Sequence, residues 1–186
     1  MAKALLKTGS GLEQAKSINI YRDGAWQNQK MGYVYVNGVW VPLMEYKKWI
    51  YEAGTEHMPL IVGFTSYQSI DFIKEDSYLN IYHFRSPGTA YFSVENKVDV
   101  TDYSKAFIEW SSELEGDSFL IFSNDIGIAP NRLDAVARLD MYEGFGKTIS
   151  SLDISDLKGE FYISAGIRIS ATLKGLSLYI YNIWLE

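Results

Sequence analysis

The chain has 186 residues, no cysteine, 47% hydrophobic and 22% charged residues, and a formal net charge of −6. That is enough apolar material for one sandwich-sized domain with a small appendage, and too much for a disordered chain. The missing cysteines exclude disulfides and thiolate metal sites, and the absence of any Lys/Arg cluster argues against a nucleic-acid groove.

Met1 to Gln14 offers one brief apolar run, Ala4-Leu5-Leu6, shorter than the apolar core of a signal peptide. Longer runs such as Leu60 to Phe64 fall far below a bilayer span. Synthesis and folding in a cytoplasm are expected, with no membrane partner. Next comes an internal repeat. Ile20-Tyr21-Arg22-Asp23-Gly24-Ala25-Trp26-Gln27 matches Val34-Tyr35-Val36-Asn37-Gly38-Val39-Trp40-Val41 at an offset of 14 residues. Asp-Gly and Asn-Gly between strand-like flanks predict two-residue hairpin turns, which need positive φ at both central positions. Counting outward from each turn sets Tyr21 across from Trp26 and Tyr35 across from Trp40, one Tyr–Trp pair per hairpin. Residues 1–45 are therefore read as an N-terminal segment carrying two hairpins, and 46–186 as a larger β domain.

Trp49-Ile50-Tyr51 is read as the first strand of that domain, with a short helix from Met44 as the competing reading. Strand-sized segments then recur between turn residues. They are Ile70–Lys74, Leu79–Phe84, Ala90–Val94, Val98–Val100, Ala106–Trp110, Ser118–Phe122, Val136–Tyr142, Phe161–Ser164, Ile167–Ala171 and Leu176–Leu185. With no long helix between them, they predict an all-β, antiparallel, jelly-roll-like sandwich rather than a parallel sheet. The last strand, Leu176 to Leu185, is apolar on both faces, which predicts a central strand covered from both sides. The hairpin segment is a candidate for that cover, and Trp110 and Trp184 are expected in the core.

Several segments resemble the jelly-roll, galactose-binding-like domains of tail and adsorption proteins from phages of Gram-positive bacteria. They are Val98 to Trp110, Leu152 to Ile163, Tyr179 to Leu185 and the opening Trp49-Ile50-Tyr51-Glu52-Ala53-Gly54. More narrowly, the chain is similar to small tail-region proteins of Bacillus siphophages whose fold resembles the shoulder domain of lactococcal phage receptor-binding proteins. The resemblance implies a non-enzymatic structural protein of the tail or host-adsorption apparatus, resident in the virion and contacting other tail proteins. Receptor binders of that group carry a separate saccharide-binding head, for which this chain has no residues to spare, so the structural role carries over more safely than sugar binding. A homo-oligomer fits such an apparatus, although no heptad repeat specifies one.

The candidate sites follow from residue chemistry beside that resemblance. Saccharides stack their C–H faces on aromatic rings, so Tyr21, Trp26, Tyr35 and Trp40 are candidate ligand platforms for host cell-wall glycans. The same rings could instead fasten the hairpins to the sandwich or to another subunit. Sandwiches of the resembled kind often hold a structural Ca²⁺, for which Asn124, Asp125, Asn131 and Asp134 are the candidate oxygen donors; an ordinary polar loop is the alternative. No other cofactor is expected. Catalysis has little to draw on. His83 lies in a predicted strand, and His57 has no partner at metal spacing. Glu109, Glu113, Glu115 and Asp117 cluster near Trp110, where a solvated strand end and acidic turn is the plainer reading than a glycosidase pair. Two functions stay open: a structural component of the adsorption apparatus, and a carbohydrate-recognition module.

Overall fold

The computed structural model describes residues 47–64, 70–83, 88–112, 117–125, 135–142, 146–169 and 176–186, together with the backbone of six short strands before them. Among the described residues every regular element is a strand. The chain divides into two compact units, Met1–Lys47 and Lys48–Glu186.

The first unit consists of three separate hairpins. β1 (Leu5–Thr8) pairs with β2 (Gly11–Gln14), β3 (Ile18–Arg22) with β4 (Ala25–Gln29), and β5 (Tyr33–Val36) with β6 (Val39–Pro42). The register sets Tyr21 opposite Trp26 and Tyr35 opposite Trp40, with Arg22–Ala25 and Val36–Val39 closing the turns, as the Asp-Gly and Asn-Gly dipeptides predict. The Leu5–Gln14 hairpin was not foreseen. It lacks the aromatic pair that marks the other two.

The second unit is a sandwich of two antiparallel sheets. Its elements are β7 (Lys48–Glu52), β8 (Thr55–Glu56), β9 (Leu60–Phe64), β10 (Ile70–Lys74), β11 (Leu79–His83), β12 (Gly88–Val94) and β13 (Val98–Asp99). They continue with β14 (Lys105–Ser112), β15 (Asp117–Ser123), β16 (Ala135–Met141), β17 (Thr148–Asp153), β18 (Glu160–Ile169) and β19 (Leu176–Leu185). The seven-stranded sheet runs β10-β11-β19-β14-β17, with β7 on the far half of β19 and β8 on β7. The six-stranded sheet runs β16-β15-β18-β12-β9, with β13 beside the start of β18. Each sheet is organised on one ten-residue strand, β19 or β18, long enough to pair with two shorter strands along a single edge.

Alternation builds the core. In β14, Ala106, Ile108, Trp110 and Ser112 are buried while Phe107, Glu109 and Ser111 are only half-buried. Trp110 belongs to the buried cluster that includes Leu120, Phe122, Ile180 and Ile183, and its indole N–H donates to Ser150 Oγ at 3.0 Å. The phenol of Tyr51 is buried there too, which raises its pKa, partly offset by the hydrogen bond it accepts from the Gly54 N–H at 2.9 Å. That N–H belongs to a tight β7–β8 turn in which Ala53 and Gly54 both have positive φ.

Two expectations need correcting. Phe161–Ser164 and Ile167–Ala171 are not two strands: β18 runs unbroken from Glu160 to Ile169. Ala165-Gly166 looks like a break in sequence but is a close approach, since a Cβ on Gly166 would lie 2.3 Å from the Ala90 carbonyl oxygen. Polar Thr148–Asp153, given no strand in the sequence reading, is the edge strand β17 beside β14. Trp184 is buried, at 7% exposure, yet stands outside the main core cluster, on the opposite side of its sheet.

Candidate functional site

The reason for Trp184's position is an irregularity in β19. Strict alternation would put Leu178, Ile180, Asn182 and Trp184 on one face and Tyr179, Tyr181, Ile183 and Leu185 on the other. The pairing with β14 shifts by one residue, from Glu109↔Asn182 to Trp110↔Ile180, so Tyr181 is the extra residue of a β-bulge. Parity reverses there. Leu178, Ile180, Ile183 and Leu185 all enter the core, leaving Tyr179, Tyr181, Asn182 and Trp184 on the outer face. β7 carries the complementary shift. Trp49 pairs with Trp184 and Tyr51 with Ile183, so Ile50 and Tyr51 both turn inward and Trp49 outward.

The outer face of the seven-stranded sheet is thereby laid out in rows across the strands. Trp49, Trp184 and Phe107 form the first. Their rings pack in succession, with Trp49–Trp184 centroids 5.4 Å apart and Phe107 stacked on Trp184 at 5.1 Å and 6°. The Trp184 indole N–H donates to Glu186 Oε1 at 2.8 Å. Glu52, Asn182 and Glu109 form the second row. Asn182 is fastened at both ends: Oδ1 accepts the Ala53 N–H at 3.1 Å, and Nδ2 donates to Glu109 Oε2. Glu52 Oε2 meets His57 Nε2 at 3.2 Å.

Beyond the bulge, Asn80, Tyr179 and Ser111 share the next row. Tyr78 meets Tyr179 and Tyr181 edge-to-face at 5.4 and 6.1 Å. The Tyr181 hydroxyl is 3.0 Å from Ser111 Oγ, and the Lys147 ammonium lies 3.9 Å over the Tyr181 ring. Trp49, Tyr78, Tyr82, Phe107, Tyr179 and Tyr181 are all half-buried, a state in which a ring is held firmly and still presents area. Chemically the face offers aromatic surface on either side of a band of oxygen acceptors. Two adjacent rows lie about 7 Å apart along the strands.

Of the residues singled out from the sequence, Glu109 belongs to this face and His57 stands beside it. Tyr21, Trp26, Tyr35 and Trp40 take the cross-strand positions described above, and their side chains lie outside the described residues. Asn124 and Asp125 form an exposed bend after β15, where the Asp125 carbonyl accepts from Ser123 Oγ at 3.2 Å. Asn131 and Asp134, the other two candidate Ca²⁺ donors, lie outside the described residues, as do Glu113 and Glu115. Among the described residues no three His, Asp or Glu side chains gather as a metal site would need. Glu109 and Asp117 sit on different sheets, so the predicted acidic cluster is not brought together by them. His57 lies in the loop after β8 beside Glu52, and His83 pairs with Ile70 and Leu176.

No family model and no curated protein matches the sequence. Solved structures do match the fold. One is the family 11 carbohydrate-binding module of a cellulosomal cellulase of Clostridium thermocellum, with a TM-score of 0.52 and 9% identity over 75% of this chain and 93% of that one. Another is a family 29 carbohydrate-binding module from Piromyces equi, with a TM-score of 0.50 and 11% identity over 75% of this chain and 88% of that one. A third is the glycoside hydrolase domain structure of Endo-D from Streptococcus pneumoniae R6, with a TM-score of 0.53 and 10% identity. It matches 68% of this chain, which spans only 21% of that one. The chain has the jelly-roll sandwich fold that these carbohydrate-binding modules share.

Proposed function

We propose that the Lys48–Glu186 sandwich is a non-catalytic carbohydrate-binding module that holds its glycan on the outer face of the seven-stranded sheet. The observation that carries this reading is the polar row Glu52–Asn182–Glu109 set between the Trp49–Trp184–Phe107 block and the Tyr179–Tyr181 pair. Sugars have apolar C–H faces and polar rims, and such a face meets both demands without moving the backbone. The fold it shares with two carbohydrate-binding modules supports the same reading.

Binding rather than cleavage fits the row's own geometry. Glycosidases flank the scissile bond with two carboxyl groups that leave room for it or for a water. Here Asn182 occupies the register position between Glu52 and Glu109 and hydrogen-bonds the latter, while Glu52 meets His57. The test is affinity electrophoresis of the full chain in gels containing soluble polysaccharides. The native protein should be retarded by at least one of them, and a Trp49→Ala/Phe107→Ala variant should run free while still unfolding in a single cooperative transition. A Trp26→Ala/Trp40→Ala variant provides the contrast. If retardation is lost there and kept in the first variant, the glycan site belongs to the hairpins instead.

A place for this module in the tail or adsorption apparatus of a phage is a second, finer proposal. Its support is the sequence resemblance, together with the paired Tyr–Trp register of the two hairpins, which suits repeated docking elements. Detection of the protein in purified virions by mass spectrometry, and its loss from tail-less particles, would test that proposal.

A further inference from the structure

Asn182 is held at both ends of its amide: Oδ1 accepts the Ala53 N–H and Nδ2 donates to Glu109 Oε2. The Ala53 N–H also donates to the Tyr181 carbonyl at 3.0 Å, so one amide proton pins the bulge and the asparagine together. A chain of hydrogen bonds thus runs Ala53 to Asn182 to Glu109 across three strands and fixes the orientation of the Glu109 carboxylate. An ionised carboxylate offers about four acceptor positions and no donor. Glu109 therefore keeps acceptor capacity beyond its bond to Asn182, and Glu52 keeps it beyond His57. One row along, Asn80 pairs with Tyr179. Asn80 is 9% exposed, and the described residues supply no hydrogen-bond partner for its Oδ1. That oxygen is itself closed off from solvent, so the acceptors the face presents outward are the carboxylates of Glu109 and Glu52. Lys147 and His57 stand beside the row, and both are already engaged, on the Tyr181 ring and on Glu52.

From this arrangement we infer that the face is an acceptor array selecting neutral, hydroxyl-rich glycans and rejecting polyanionic ones, with Glu109 determining specificity and Asn182 positioning it. The inference rests on the carbohydrate-binding reading above and adds the substrate class. A polymer of sugar hydroxyls supplies the donors that the array lacks. A polymer of phosphodiesters or uronates brings like charge toward Glu52 and Glu109 whatever hydroxyls it carries.

The full chain is to be titrated calorimetrically against a soluble neutral glucan and a galactomannan, and in parallel against polygalacturonate and poly(glycerol phosphate). Neutral polymer should bind and the polyanions should not. Glu109→Gln, which swaps an acceptor for a donor at constant shape, should weaken neutral binding about tenfold or more at an unchanged melting temperature. Glu52→Gln should act in the same direction more weakly, and it provides the readout if the Glu109 variant fails to fold. Polyanion binding as tight as neutral binding overturns the inference and leaves the glycan-binding reading standing. So does full affinity in the Glu109→Gln protein when Trp49→Ala/Phe107→Ala has lost it. Silence toward every polymer removes both.

Discussion

The two sheets of the sandwich each carry a row of aromatic side chains on the outer face, and the rows are built on opposite plans. Across the six-stranded sheet the row reads Gly63, Tyr91, Gly166, Phe119. Large residues alternate with glycines, and the rings occupy the space the glycines leave. A Cβ on Gly63 would lie 2.2 Å from Cζ of Tyr91, and one on Gly166 would lie 2.8 Å from Cζ of Phe119. Tyr91, Phe119 and Ile121 are accordingly buried as a second small cluster, and burial raises the Tyr91 pKa. Across the seven-stranded sheet the row reads Trp49, Trp184, Phe107, with no small residue between rings. Those rings prop one another up, and the outer two stay half-exposed. Aromatic content alone says nothing about function; what stands beside each ring decides whether it closes a surface or presents one.

The largest effect should come from breaking the glycine plan. Gly166→Ala places a methyl 2.3 Å from the backbone oxygen of Ala90 on the paired strand, which cannot yield without disturbing the ladder. A loss of about 3 kcal/mol, the upper end of ordinary overpacking, is expected in urea unfolding. Gly63→Ala should cost less, about 1–2 kcal/mol, because the atoms in its way are the far end of the Tyr91 phenol. Equal losses at the two glycines would mean that Tyr91 is as fixed as backbone.

The aromatic plan on the other sheet should respond in reverse. Trp49→Ala removes a half-exposed ring at the end of its row, so a loss of about 1 kcal/mol is expected, well short of the cost of deleting a fully buried indole. Its effect should fall on glycan affinity instead. A stability loss as large as that of Gly166→Ala would assign the Trp49 row to packing and dissolve the contrast between the sheets.

How far the sequence discloses this contrast differs from strand to strand. The hairpin registers were legible because Asp-Gly and Asn-Gly dictate a turn, and the turn dictates the pairing of Tyr21 with Trp26 and Tyr35 with Trp40. The sandwich class was legible from the recurrence of short apolar segments, and Trp110 from alternation along β14. The outer face was not. Residues 178–185 read as apolar on both sides because a period of two cannot reveal where a bulge resets the count, and the reset at Tyr181 is what separates outward-facing from core-facing residues. The Ala165-Gly166 step was misread for a related reason: small residues mark both turns and close approaches, and only the neighbours Ala90, Tyr91 and Phe119 tell which. β17 escaped notice because an edge strand needs little apolar content.

One device is shared by the sheets, and it supplies the mildest test. β13 leaves the six-stranded sheet through Asp99-Val100-Thr101, and β17 leaves the seven-stranded sheet through Asp153-Ile154-Ser155. In each, the aspartate Oδ1 accepts the N–H two residues on, at 3.0 Å, and the central Val100 or Ile154 is buried. The next turn repeats as well: the Tyr103 N–H donates to the Val100 carbonyl and the Leu157 N–H to that of Ile154. Those backbone bonds, aided by side-chain bonds to Thr101 and Ser155, lower the pKa of Asp99 and Asp153. A carboxylate whose pKa is depressed in the folded state adds stability that is present above its unfolded pKa of about 4 and disappears as the pH falls through the folded value. Asp99→Asn and Asp153→Asn should therefore each lower the melting temperature slightly near pH 7. The deficit against the native protein should shrink below about pH 4 and vanish once both aspartates are protonated. Asp153 also accepts the Ser155 hydroxyl at 2.7 Å, so its variant should show the somewhat larger deficit. A deficit in one variant alone, or one that grows on acidification, would show that the two turns are alike in sequence and geometry but not in energetics.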